Sequence, residues 1–134
     1  MPTSLDIGAL EKAIASLEAA LARASRAPSD DIPRDACIQR FEHTYELCHK
    51  LLRRFLAAKS ANTEEIETLG FPELIRMGSD HGLLLGEWRQ WKDYRKARSI
   101  TSHTYDERKA AEVFAIIPIF LDEARFLRDR LREG

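Results

Sequence analysis

Nine consecutive residues, Arg98-Ser-Ile-Thr-Ser-His103-Thr-Tyr105-Asp106, hold a permanent cation, an imidazole and a phenol. The Arg98 guanidinium is a planar fork matched to phosphate oxygens. The His103 imidazole ordinarily titrates where a proton must move near neutral pH. Together they would suit a phosphodiester and a proton transfer upon it. The pattern Thr104-Tyr-Asp-Glu107 reads as a capping box and predicts a helix from near Tyr105. The free N–H groups and positive end of that helix would favour an anion. In one continuous helix Arg98 and His103 would point about 140° apart, at 100° per residue. They can meet one ligand only if the helix ends between them, as the capping box implies. The same side chains could equally cap helix ends and form a surface ion pair, and the residues alone leave both readings open.

Helices must position these groups. Ile7, Leu10, Ile14, Leu17 and Leu21 recur at spacings of three and four, predicting a first amphipathic helix over about Ser4 to Ala24. Pro28, Pro33 and Ser-Asp-Asp mark a loop over 26–35, with Pro33 suited to the first turn of the next helix. That second helix runs to about Lys59, with Phe41, Tyr45, Cys48, Leu52 and Phe55 as one stripe and Leu47, Leu51 and Leu56 widening it. A helix apolar on several sides is either the centre of a bundle or part of a dimer interface. Its Glu42 and Glu46 are like charges one turn apart, a small cost that a nearby Arg, or a site needing carboxylates, would answer. His43 and His49 lack metal-ligand spacing and read as surface or rim residues.

A polar connection over 60–70 carries one short helical turn, and Phe71–Met77 is a short helix opened by Pro72 and ended near Gly78 and Gly82. Leu83, Leu84 and Leu85 read as buried. Trp88, Trp91 and Tyr94 recur every third residue of a helix over about Glu87 to Ser99. Bundle core is the preferred reading for them; a stacking wall for a base is the other. The last helix, from about Tyr105 to Arg132, has Val113, Ile117, Phe120, Ala124, Leu127 and Leu131 on one face and Pro118 within it, where a kink is expected. No strand signal is present. The expected fold is all-α: an up-down four-helix bundle with one short extra helix, a single domain over 1–134.

Arg98-x4-His103-x-Tyr105 resembles the R-x4-H-x-Y signature of HepT-type proteins of the HEPN superfamily. The stretch Gln39-Arg-Phe-Glu-His-Thr-Tyr-Glu-Leu-Cys-His-Lys-Leu-Leu-Arg-Arg-Phe-Leu56 resembles the second helix of the small nucleotidyltransferase substrate-binding proteins, a HEPN branch encoded beside a minimal nucleotidyltransferase. The resemblance spans about Leu10 to Leu131. It implies a HEPN fold, a homodimer and a composite site where two such motifs face each other across a cleft. Enzymatic members look like metal-independent endoribonuclease toxins. On that pattern Arg98 would hold the scissile phosphate and His103 would serve as general base or acid. Tyr105 would be the tyrosine that the cognate nucleotidyltransferase AMPylates to silence the toxin, the ATP and Mg2+ belonging to that partner. Ser99, Ser102, Asp106, Glu42 and Tyr45 are expected to line the site. Two positions depart from the family: Ser99 stands where Asn is common, and His49, expected to be remote from the motif, where Trp is frequent. The alternative implied by the branch's older label is a non-catalytic subunit that binds substrate or nucleotide for a two-component nucleotidyltransferase. A bare scaffold for the partner is a third reading.

Composition narrows the classes further. With 21 basic and 22 acidic residues the net charge is −1, so any RNA would be met at a local site and not through a generally basic surface. No apolar run approaches a membrane span, and Met-Pro-Thr-Ser-Leu-Asp has no signal-peptide character, so a cytoplasmic protein is expected. Cys37 and Cys48 would stand about 16 Å apart along one helix, too far for a disulfide, and no zinc-ligand or other metal spacing occurs.

Overall fold

The computed structural model describes residues 6–134. Among these, the helices are α1 (Gly8–Arg26), α2 (Asp31–Lys59), α3 (Thr63–Glu67), α4 (Phe71–Asp80), α5 (Trp88–Ser99) and α6 (Glu107–Glu133), with a 3-10 turn at Thr101–His103 and no strands. Helices α1, α2, α5 and α6 pack together as an all-α bundle, and α3 and α4 bridge α2 to α5. The connection thus holds two short helices, the first being the single turn expected there. The expected start of α1 at Ser4 lies outside the described residues. Asp30 accepts from the Ile32 N–H as the N-cap of α2, so α2 starts at Asp31, two residues ahead of the start expected near Pro33, with Pro33 in its first turn.

Helix α2 is the centre. It meets α1, α3, α4, α5 and α6, and Phe41, Tyr45, Cys48, Leu51, Leu52, Phe55 and Leu56 are all buried. Its several apolar faces are therefore covered within one chain, which removes them as an argument for a dimer. The stripe of α6 is likewise buried from Val113 to Leu131. Phe120 stands edge-on to Phe41 at 5.0 Å and to Tyr94 at 5.3 Å, joining three helices through their rings. Trp91 and Tyr94 are core, not a stacking wall. Both cysteines are free and buried.

Two readings need correction. Leu85 is 57% exposed, unlike buried Leu83 and Leu84. The Leu85 and Gly86 N–H groups donate to the buried carboxylate of Glu123 at 2.7 and 2.8 Å, and two successive inward N–H groups turn the Leu85 side chain outward. A Cβ at Gly86 would lie 2.8 Å from Glu123 Oε1, so the approach requires glycine. The capping box at Thr104 does not form either. The N-cap of α6 is Asp106, whose side chain accepts from the Arg108 N–H at 2.9 Å. Thr104 instead donates back to the Thr101 carbonyl. Glu107 is drawn away by Arg34 of α2, whose guanidinium donates to it at 2.8 and 3.2 Å.

Candidate active site

Helix α5 ends at Ser99, and the 3-10 turn then redirects the chain before α6. The break falls between Arg98 and His103, as their convergence requires. Arg98 points onto α2, where Glu42 and Glu46 stand one turn apart. Its Nε donates to Glu46 at 2.7 Å and its Nη1 lies 3.1 Å from Glu42. One guanidinium thus relieves the repulsion between two carboxylates and docks the end of α5 on the central helix. The Thr101 hydroxyl lies 2.8 Å from Glu42 and 2.9 Å from the Arg98 carbonyl, fastening the turn to the same place. The Arg98 side chain stays one-third exposed. With Nε and Nη1 engaged, the Nη2 edge is what it can offer a phosphate.

Beside it opens a cleft of about 280 Å³ lined by Tyr45, His49, Phe71, Arg95, Arg98 and Ser99. Tyr45 forms its floor; it is buried, and burial pushes the phenol well above its ordinary range. Arg95 lies over the Phe71 ring, 5.0 Å from its centre. His49 packs edge-on to Phe71 at 4.8 Å and sits 3.2 Å from Arg53 Nη2. Arginine can only donate, so His49 Nε2 accepts and the ring proton of the neutral form is on Nδ1. Burial, then the Arg53 charge, hold this imidazole below its ordinary range, against the pull of Glu46. His49 is thus a cleft residue, contrary to the expectation of remoteness.

The remaining motif residues stand outside the cleft. Ser102, His103 and Tyr105 are exposed on the turn and the loop after it, Tyr105 at 84%. The His103 and Tyr105 rings are 6.2 Å apart, edge to face. Asp106 is committed to capping α6. Of the expected lining residues, Glu42, Tyr45 and Ser99 gather at Arg98, whereas Ser102 and Asp106 belong to the exposed turn. The Ser99 hydroxyl donates to the Lys96 carbonyl at 2.6 Å, so it is spent on its own helix. His49, Phe71 and Arg95 line the cleft and were missed as lining residues. A signal was available for His49, which follows Glu42 and Glu46 at spacings of four and three on one face of α2.

Residues 5–133 match the family model described as "Nucleotidyltransferase substrate binding protein like". The chain is 38% identical, over 99% of its length and 96% of the relative's, to a Haemophilus influenzae protein named "Probable ribonuclease HepT". A solved Haemophilus influenzae structure, described as the fold of a substrate binding domain of a nucleotidyltransferase, superimposes with a TM-score of 0.88 at 36% identity. It covers 95% of this chain and 99% of that one. A Thermus thermophilus crystal structure gives 0.74 at 33% identity, covering 92% and 98%.

Proposed function

Because the chain belongs to the nucleotidyltransferase substrate-binding-like family of HepT-type HEPN proteins, we propose that it is an endoribonuclease toxin controlled by a cognate minimal nucleotidyltransferase. The observation that carries this reading is the helix break after Arg98. It leaves an Arg held at the mouth of a cleft and an exposed imidazole on the turn that follows. In the proposed reaction the RNA 2′-oxygen attacks phosphorus and the bond to the 5′-oxygen breaks. One imidazole takes the 2′-OH proton and an acid returns one to the leaving oxygen, giving a 2′,3′-cyclic phosphate and a 5′-OH. Arg98 stabilises the charge growing on the phosphate. Two copies of the motif, one from each protomer of a homodimer, would supply base and acid. No step calls for a metal.

Silencing follows from Tyr105. Its exposed hydroxyl can attack the α-phosphate of ATP held with Mg2+ by the partner, releasing pyrophosphate and leaving AMP on the ring. The added phosphate would compete for Arg98 and block the cleft. The second reading, a nucleotide- or substrate-binding subunit that breaks no bond, is favoured by one observation: the Ser99 hydroxyl is turned to its own helix, so the contact expected of Asn is lost.

Incubation of adenylate-free protein with single-stranded RNA separates the two. Cleavage that persists in EDTA and disappears in His103→Ala is expected. Intact RNA with wild type would favour the binding-subunit reading, and cleavage regained in Ser99→Asn would show a competent scaffold that has lost the chemistry.

A further inference from the structure

A second depression, of about 640 Å³, continues along α2 beyond the cleft, and His49 lines both. Ala57 and Ala58 give it an apolar floor, while Lys50, Arg53 and Arg54 bring three cations to it. These cations differ in what they are free to do. Arg53 is committed to structure: its Nη1 donates to the Ile66 and Leu69 carbonyls at 2.9 and 2.7 Å, holding the α3 connection against α2. Lys50 and Arg54 are exposed. They lie four residues apart, so both project from one side of the helix. Of the acids nearby, Glu46 is already paired with Arg98, and Glu67 stands on the α3 side.

Resting on the ribonuclease reading, we propose that this depression is a subsite for the nucleotide flanking the scissile bond of single-stranded RNA. Lys50 and Arg54 hold its phosphate, and the base lies on the alanine floor beside His49. Charge complementarity selects this occupant. In a chain of net charge −1, Arg95 and Arg98 line the cleft and Lys50 and Arg54 line the depression that shares His49 with it, so cations edge both. A polyanion with apolar faces matches a floor of methyl groups edged by such cations. A neutral His49 with its proton on Nδ1 adds a hydrogen-bond donor suited to a base carbonyl or ring nitrogen.

The test compares wild type, Lys50→Ala/Arg54→Ala and the charge-keeping Lys50→Arg/Arg54→Lys on a fluorescent single-stranded RNA. Cleavage kinetics and binding are measured over a range of salt, with binding read on the His103→Ala background. Both substituted positions are exposed, so circular dichroism should be unchanged. The alanine variant should bind on the order of tenfold more weakly. Its slope of log affinity against log salt should flatten by about 0.7, which is one phosphate contact on a single strand. The change in kinetics should fall on KM, not on kcat, and the charge-keeping variant should restore both. Wild-type cleavage with the alanine variant indistinguishable from it would overturn the subsite and leave the ribonuclease reading standing. Alanine substitutions that spare RNA binding but abolish capture by the cognate nucleotidyltransferase would make the groove a protein-docking surface and also overturn it. Absence of cleavage by wild type, with groove-dependent binding intact, would defeat the ribonuclease reading and with it the scissile-bond subsite, leaving the groove as an RNA-binding surface only.

Discussion

Arg98 meets solvent already bound. Two carboxylates and a threonine hydroxyl hold it in place, so its side chain would lose little freedom on binding the phosphate proposed for it. Arg98→Lys would keep the charge but cannot span Glu42 and Glu46 with one planar fork; kcat for RNA cleavage should collapse although the fold persists. His103→Ala should lower kcat about 10²–10⁴-fold without changing thermal stability, since the ring is exposed. Tyr105→Phe should abolish the adenylate seen by intact-mass measurement after incubation with the partner and ATP, and additions that persist would place the acceptor elsewhere. His49 is testable by pH. Its imidazole sits below its ordinary range through burial and the nearness of Arg53, with Glu46 opposing and Arg95 adding to the effect. The unfolded chain therefore takes up this proton first as pH falls. The stability it contributes is full above about 6.5 and is lost as pH drops through the folded value. Denaturation midpoints of wild type should fall more between about pH 7 and 5 than those of His49→Gln, and parallel curves would exonerate this residue.

At the scale of helices, two carboxylates do separate jobs for α6. Asp106 satisfies one of its free N–H groups, that of Arg108, and Asp106→Ala should cost about 1 kcal/mol in chemical denaturation. Glu123, wholly buried, is the anchor of the segment entering α5. Glu123→Ala would strand two backbone donors at about 1–3 kcal/mol each, and should cost more than the loss of the cap. Much of this level was legible in the sequence. Phe41, Tyr45, Cys48, Leu52 and Phe55, and the α6 stripe from Val113 to Leu131, are buried as their spacing demands, because periodicity is a property of one helix. The start of α6 was not legible. Thr104 and Asp106 both suit a cap, and the choice turned on Arg34, 73 residues away from Glu107. His49 was legible only in part: it shares a face of α2 with Glu42 and Glu46, but the Phe71 ring packed on it comes from α4, which no local pattern encodes.

For the whole molecule, the coverage of α2 within one chain moves the case for a homodimer onto the proposed site, which needs two motifs. Light scattering at micromolar concentration should give a dimer, and a monomer with full cleavage activity would reject a composite site. The order in which the chain is made adds a consequence. Glu42 and Glu46 are synthesised before Arg98, the turn and the 27-residue α6 that closes the bundle. At about 5–20 residues per second, α6 alone takes a few seconds to emerge. Until then Phe41 lacks the ring of Phe120 and Arg34 lacks Glu107, and the bundle that carries Arg98 has no closing wall. On the ribonuclease reading, a nascent chain would hold no assembled site until α6 has emerged, so the order of synthesis would itself delay the activity that the proposed nucleotidyltransferase partner restrains.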